Sequence, residues 1–133
     1  MTKYLLWKRG RPFTVHELSL CQHLLDQVTV LATAHGAREV ERIVLQIGPL
    51  AGVEISLLAQ AFSIARAGTL AENAELDIEP APIRVRCQTC GAETEASPAH
   101  LACGRCGDWR TELVSGDQLV LASLQLTLEE DHV

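Results

Sequence analysis

The sequence has few aromatic side chains and no long apolar run. Aromatic residues make up 4% of its 133 residues, although hydrophobic residues of all kinds make up 47%. The core must therefore be built from Leu, Val, Ile and Ala, and this composition predicts a folded chain rather than a disordered one. No apolar stretch approaches the roughly 20 residues that a transmembrane helix requires.

Basic residues are also scarce outside the first fourteen positions. The chain has 11 Lys and Arg against 17 Asp and Glu, a net charge of −6. Four of the basic residues lie within residues 1–14, so removing those four positive charges leaves −10 for the rest. An acidic body argues against nucleic acid as a partner, because such binding depends on Lys and Arg neutralising phosphates. It is compatible with a divalent cation or a basic protein partner.

Signals for export and for common catalytic chemistry are missing. The apolar run Tyr4–Trp7 is too short for a secretory signal peptide and no small-residue cleavage site follows it, so we expect a cytoplasmic, reducing location. We find no Gly-rich phosphate loop, nucleophile elbow or metalloprotease-type helix pair. The sequence therefore gives no indication of an enzyme.

Cysteine supplies the most specific signal in the chain. Four of the five cysteines form two C-x-x-C-G units, with twelve residues between the second cysteine of the first unit and the first of the second: Cys87, Cys90, Cys103 and Cys106. Each unit puts two sulfurs on one tight turn, and the Gly that follows lets backbone N–H groups face the sulfurs. Two facing turns would form a closed tetrahedral site of the kind that Zn²⁺ occupies in structural roles.

Other interpretations of the four cysteines are weaker but remain open. Two disulfides would need an oxidising compartment, and a redox C-x-x-C needs only one pair. Iron in a four-sulfur site is not separated from zinc by the ligands alone. The fifth cysteine, Cys21, lies on an apolar helical stripe, where we expect a buried, unreactive thiol.

The pattern of apolar residues predicts an α+β fold. Apolar residues at three- and four-residue steps predict helices over Glu17–His35 and Glu54–Arg66, with Leu18 and Leu57 on their buried stripes. Three segments predict strands, being rich in β-branched residues or alternating in polarity: 40–47, 75–79 and 119–129. The simplest arrangement lays two helices on one face of a three-stranded sheet, with the cysteine ribbon inserted before the last strand.

This order divides the chain into three parts. Residues 1–14 form a basic extension that matches neither helix nor strand periodicity, so we expect a loose segment. Residues 15–84 plus 113–133 form the α/β domain, and residues 85–112 form the zinc-ribbon domain. Because the ribbon has few apolar residues, we expect it to need its metal in order to fold.

The remaining candidates for chemistry lie at the start of the first helix. Residue chemistry alone favours a solvated His16 and a Glu17 that caps the helix. Of the other histidines, His23 is expected to face outward, His35 to interact with the helix C-terminus, and His100 to lie in a solvated loop of the ribbon.

A family resemblance changes this weighting. The segment Val15–Gln22 closely resembles the N-terminal Met-His-Glu segment of the HypA/HybF family of nickel metallochaperones. Further matches are Ile47–Gly48, Val53–Glu54, Ala61–Phe62, Gly68–Thr69 and the paired C-x-x-C turns. Together with the first segment they cover residues 15–130. The resemblance implies nickel delivery during assembly of the nickel–iron hydrogenase active site, and in some bacteria of urease.

The resemblance also implies particular site residues and partners. Nickel would be bound by the His16 imidazole with backbone nitrogens at His16 and Glu17, a donor set suited to square-planar Ni²⁺. Glu54 matches an acidic position beside that site and could orient the imidazole. Zinc would be bound by the four ribbon cysteines: Cys87, Cys90, Cys103 and Cys106. The implied partners are a nickel-handling GTPase and the hydrogenase large-subunit precursor, with a homodimer left open.

One departure from the family bears on the nickel site. In the family the His is the second residue, so the free α-amine can be a ligand, whereas fourteen residues precede Val15 here. We hypothesise that the true start is Val15, decoded as Met from an alternative start codon. If residues 1–14 are present, we expect nickel to bind differently or more weakly. The competing functions are a zinc-ribbon adaptor without nickel cargo and a small redox protein with an iron site.

Overall fold

The computed structural model describes residues 4–8 and 17–129, which contain two helices and seven strands. The helices are α1 (Glu17–Ala34) and α2 (Ile55–Ala65). The strands are β1 (Tyr4–Lys8), β2 (Ala37–Ile47), β3 (Glu75–Pro80), β4 (Ile83–Cys87), β5 (Glu93–Ala96), β6 (Thr111–Ser115) and β7 (Gln118–Leu128). A larger sheet has the order β1-β7-β2-β3 and a smaller one the order β5-β4-β6. The predicted α+β class is confirmed.

The larger sheet contains all three predicted strands. The central strand β2 runs parallel to β3 and antiparallel to β7. Ile43 and Leu45 of β2 and Leu119 and Leu121 of β7 are at most 1% exposed and belong to one core cluster with both helices. Aliphatic residues of this kind suit the half-buried surface of a sheet, which explains why β2 could be recognised from its sequence.

A fourth strand, β1, was not predicted. The expectation that residues 1–14 form a loose segment is wrong for Tyr4–Lys8, which pair antiparallel with the first residues of β7. Leu6 lies at a register shift between Leu5 and Trp7, and its side chain is only 7% exposed and joins the core. The continuous apolar run hides the strand from a search for alternation, because a bulge interrupts the two-residue period.

Both helices bury most of their predicted stripes, but Leu18, Leu57 and the last member of the α1 stripe, His35, are exposed. The buried side of α1 comprises Leu20, Cys21, Leu24, Leu25, Val28 and Ala32, and that of α2 comprises Leu58, Ala61 and Phe62. Leu18 is 46% exposed, although Leu20 and Cys21 after it are buried, so its expected burial is wrong. Leu57 is 47% exposed because it lies about 100° around the helix from Leu58.

The end of β2 places the start of α2 beside the start of α1. After Ile47, the Gly48 N–H donates to the Gln118 carbonyl at 2.9 Å, and the Leu50 N–H donates to the Gly116 carbonyl at 2.8 Å. These bonds fix the loop that leads to Glu54, the residue preceding α2. Neither helix in the described part of the chain is long and apolar enough to cross a membrane.

The smaller sheet supports the cysteine ribbon. Its central strand β4 pairs antiparallel with β5 on one side and with β6 on the other. The three strands of this sheet lie between Ile83 and Ser115 in the sequence. Ile83 and Val85 are at most 2% exposed, but neither belongs to the core cluster of the larger sheet. That residues 85–112 form a zinc-dependent domain of their own stays a prediction.

Candidate metal centre

Two turns bring the four ribbon cysteines together. Cys87 ends β4 and Cys90 follows it, while Cys103 and Cys106 lie in the connection between β5 and β6. All four sulfur atoms lie within 4.8 Å of one another. The shortest separations between the turns are 3.5 Å from Cys87 Sγ to Cys106 Sγ and 3.6 Å from Cys90 Sγ to Cys103 Sγ. All four are free thiols, so the paired disulfides left open above are not formed.

The two turns have the same hydrogen-bond pattern. The N–H groups of Thr89 and Cys90 donate to Cys87 Sγ at 3.3 and 3.4 Å. The N–H groups of Arg105 and Cys106 donate to Cys103 Sγ at the same two distances. The sulfurs of Cys87 and Cys103 therefore each accept two backbone hydrogen bonds, an environment that favours a thiolate.

A glycine closes each turn. Gly91 and Gly107 have φ values of +75° and +79°, which L-residues with side chains rarely adopt. Their N–H groups donate to the carbonyls of Cys87 and Cys103 at 3.0 and 2.9 Å. The glycine that follows each C-x-x-C is therefore required by the backbone of the turn.

The pKa values of the cysteines are shifted in opposite directions within the cluster. Backbone hydrogen bonds, chiefly the one from Cys106, lower the pKa of Cys103 to about 6. The backbone hydrogen bond from Cys90 is the main cause that lowers the pKa of Cys87. A hydrogen bond from the Asp108 backbone also lowers the pKa of Cys106, but hydrogen bonds with the neighbouring thiols and desolvation raise it to about 12 overall. Four thiolates at these separations would repel one another strongly, so a cation bound between them would favour the ionised form of all four. The donor set could hold a soft or borderline metal, and sulfur ligands suit Zn²⁺ or iron.

One contact between the turns has no counterpart among the features predicted from the sequence. Thr89 Oγ1 in the first turn donates to Asp108 Oδ2 directly after the second, at 2.5 Å. Asp108 Oδ1 accepts from the Arg110 N–H at 3.0 Å. The Thr89 bond is the main cause that lowers the pKa of Asp108, which keeps this carboxylate charged. Nothing in the sequence signals the pairing, since nineteen positions separate the two residues.

The second predicted site lies at the start of the two helices. His16 lies outside the described residues. The backbone N–H of Glu54 donates to Glu17 Oε1 at 3.4 Å, so the structure brings these two predicted residues together. The carboxylate of Glu17 thus faces the start of α2, where a negative charge is favourable. A capping box between Thr14 and Glu17, which the spacing Thr14-x-x-Glu17 predicts, stays a prediction because Thr14 also lies outside the described residues.

The other candidate side chains have structural roles or face solvent. Cys21 is fully buried, its Sγ lies 3.4 Å from the Leu58 carbonyl, and burial raises its pKa to about 11. The expectation of a buried thiol is confirmed. His35 Nδ1 lies 2.8 Å from the Leu31 carbonyl near the C-terminus of α1, as expected. His23 and His100 are exposed, also as expected, and His132 lies outside the described residues.

Comparison with known proteins identifies the family. The sequence profile described as "Hydrogenase/urease nickel incorporation, metallochaperone, hypA" matches residues 15–126. The chain belongs to the HypA family. It is 46% identical over 112 residues to the hydrogenase maturation factor HypA of Nitrosospira multiformis, covering 84% of this chain and 97% of that protein. Identity to the Aquifex aeolicus HypA is 37% over 115 residues, covering 86% of this chain and all of that protein.

Solved structures of the family have the same fold. The solution structure of the Ni metallochaperone HypA from Helicobacter pylori superposes with a TM-score of 0.68 at 26% identity, covering 86% of this chain and all of that one. The family is one of metallochaperones rather than catalysts. Strand β1 precedes the region that matches the family profile, whereas the cysteine cluster and the Glu17–Glu54 contact lie inside it.

Proposed function

We propose that this protein is a nickel metallochaperone, not an enzyme, that delivers Ni²⁺ for maturation of the nickel–iron hydrogenase active site. Family membership supports the class of function. The observation that carries the proposal for this chain is the Glu17–Glu54 contact. It joins the two segments in which the resemblance locates the nickel site, although 37 positions separate them.

In this proposal the ribbon cysteines hold a structural Zn²⁺. Four thiolates complete the tetrahedral coordination of zinc, and no position is then left for a cargo ion to exchange. The metal would fix the two turns and thereby the small sheet, rather than take part in nickel transfer.

Nickel would bind at the start of α1. The His16 imidazole and the backbone nitrogens of His16 and Glu17 would be its ligands, and Glu54 would orient the imidazole. The net negative charge of the chain after residue 14 would favour the approach of Ni²⁺. Client and partner assignments follow the family: the hydrogenase large-subunit precursor, with urease as the alternative client, and a nickel-handling GTPase. A homodimer is compatible with this assignment.

The contribution of the α-amine depends on the first residue of the natural chain. A chain that begins at Val15 would place the amine next to His16. In the longer chain the amine is at least fourteen residues away, and β1 holds Tyr4–Lys8 on the edge of the sheet. We expect the shorter chain to bind nickel more tightly, because the amine closes an additional chelate ring.

The test is calorimetric nickel titration of zinc-loaded protein with and without His16→Ala, in chains beginning at Met1 and at Val15. His16→Ala is expected to abolish stoichiometric nickel binding and leave zinc bound. His23→Ala is the matched control, since His23 is exposed on the same helix. Unchanged nickel affinity of His16→Ala in the chain beginning at Val15 would refute the site assignment. Intact mass of natively expressed protein reports the start, and a mass that includes residues 1–14 would rule out Val15.

A zinc-ribbon adaptor without nickel cargo is the second candidate. The observation in its favour is Trp109, which is 77% exposed next to the second cysteine turn with the Arg110 guanidinium 5.8 Å from its ring centroid. Exposed aromatic and Arg side chains are enriched in protein interfaces. Absence of nickel binding by both chains would favour this candidate, and a coloured, iron-containing protein would favour a redox role.

A further inference from the structure

A three-residue segment after the second cysteine turn links that turn to the first. The Cys103 N–H donates to the Asp108 carbonyl at 2.8 Å, which fixes Asp108 to its own turn. The Gln88 N–H of the first turn donates to the Arg110 carbonyl at 2.9 Å. The Thr89 hydroxyl donates to Asp108 Oδ2, so a side-chain bond joins the same two turns.

We propose that Thr89 and Asp108 are positioning residues that hold the two cysteine turns together and slow the release of the metal between them. The inference rests on the proposed zinc site. The backbone N–H of Thr89 donates to Cys87 Sγ, but the side chains of Thr89 and Asp108 bond each other rather than a ligand sulfur. The inference assigns them a role beyond that site: they determine how long the metal stays bound.

The physical argument concerns the freedom of the turns. Each turn holds its own two sulfurs by backbone geometry, but metal release requires sulfurs of one turn to move away from those of the other. The Thr89–Asp108 bond opposes this movement, and a bond to a charged acceptor is stronger than one between neutral groups. Groups that hydrogen-bond to metal ligands typically change metal affinity about 10- to 100-fold when they are removed, and the Thr89–Asp108 bond would act through the Thr89 backbone N–H that donates to Cys87 Sγ.

The alternative is that Asp108 only shapes its own loop. Its Oδ1 accepts from the Arg110 N–H two residues along, and such a local bond would stabilise the loop without the first turn. Thr89→Val separates the two roles, because it removes the hydroxyl donor and leaves the Asp108–Arg110 bond intact. Thr89→Ser restores the donor.

The experiment measures zinc transfer from the full chain to excess 4-(2-pyridylazo)resorcinol. Thr89→Val is expected to release zinc about 10- to 100-fold faster than the unsubstituted chain. Thr89→Ser should release it at nearly the original rate. Asp108→Ala should release it faster too, and the double variant should be no faster than the faster single variant, because both changes remove the same bond.

Thr111→Val is the matched control. Thr111 Oγ1 donates to the Leu101 carbonyl at 2.6 Å, so this variant undergoes the same substitution and loses a hydrogen bond in the same part of the fold. That bond does not join the two turns, and its loss should leave the release rate unchanged.

The outcomes distinguish this inference from the zinc assignment. One zinc per chain with the same release rate in Thr89→Val would overturn the positioning role and leave the zinc site intact. Equal acceleration by Thr111→Val, or failure of Thr89→Ser to restore the rate, would also overturn it. An unsubstituted chain that binds no zinc would overturn both.

Discussion

Gly48 has no room for a side chain where the loop after β2 meets the connection between the two sheets. A Cβ atom at Gly48 would lie 2.1 Å from the Gly116 carbonyl oxygen, which is backbone and cannot rotate away. We expect Gly48→Ala to lower the free energy of unfolding by about 3 kcal/mol, the upper part of the usual range for overpacking. Urea unfolding of the zinc-loaded protein measures this loss.

Gly52→Ala is the control for this prediction. Gly52 has φ of +76°, but an added Cβ would meet nothing within 4 Å. Only backbone strain of about 1 kcal/mol is expected there. If both variants unfold at the same urea concentration, the close contact with Gly116 does not account for the effect of a side chain at position 48.

Cys21 gives stability a dependence on alkaline pH. Burial raises its pKa from 9.0 to about 11, so the folded state keeps the thiol protonated where the unfolded state ionises. The contribution of Cys21 is therefore fully present below pH 9 and is lost as the pH rises through 11. The urea midpoint should decrease between pH 8 and pH 10.5, and this decrease should be smaller in Cys21→Ala than in the unsubstituted chain. An equal fall in both chains would contradict this assignment.

At the scale of single elements, β1 is the feature that most needs testing. Its contribution to the core depends on Leu6, which is 7% exposed, whereas the adjacent Leu5 is 45% exposed. We expect Leu6→Ala to destabilise the protein by about 2 kcal/mol and Leu5→Ala to change stability little. Equal effects of the two substitutions on the midpoint of thermal unfolding would contradict the register of β1.

Some elements could be predicted from the sequence because their signals are local. Helices α1 and α2 and strand β2 show apolar periodicity or β-branched runs within one segment. Strand β5 has no such signal, because Glu93–Ala96 contains two acidic residues and no large apolar one. It forms through its neighbour β4, where Arg84 Nε lies 3.1 Å from Glu93 Oε1. Tertiary pairing therefore decides β5, whereas β1 is apolar but lacks the two-residue alternation because of its bulge.

The candidate sites divide in the same way. The spacing of the cysteines predicted their cluster, because a C-x-x-C turn is a local structure and two of them share one metal. The contact between Glu17 and Glu54 depends on how α1 and α2 pack, and only the family resemblance suggested it. The Thr89–Asp108 bond depends on the path of the loop between the turns, which no local pattern encodes.

At the scale of the whole molecule, the two candidate metal sites belong to parts with different sources of stability. The core cluster of the larger sheet and the helices includes no residue of the smaller sheet. The ribbon has only a few buried apolar side chains of its own, among them Ile83, Val85 and Ala102. We therefore expect this small unit to depend on a bound metal.

Zinc removal should therefore unfold one part and spare the other. After chelation we expect backbone amides of β4, β5 and β6 to exchange hydrogen rapidly while those of β2 and the helices stay protected. Hydrogen exchange followed by mass spectrometry measures this difference. Cys103→Ser should give the same pattern without a chelator, whereas Cys21→Ser should keep zinc and leave the ribbon protected. Loss of protection in β2 on chelation would show that the metal stabilises the whole chain.

The same separation extends to nickel. Glu17 and Glu54 lie at the ends of helices that pack on the larger sheet, so the start of α1 should keep its structure when zinc is lost. We expect Cys103→Ser in a chain beginning at Val15 to bind one Ni²⁺ per chain with nearly unchanged affinity, while His16→Ala in the same chain binds none. Calorimetry of the two variants measures both. Nickel binding that disappears with zinc would place the cargo ion at the cysteines and leave the start of α1 without a metal.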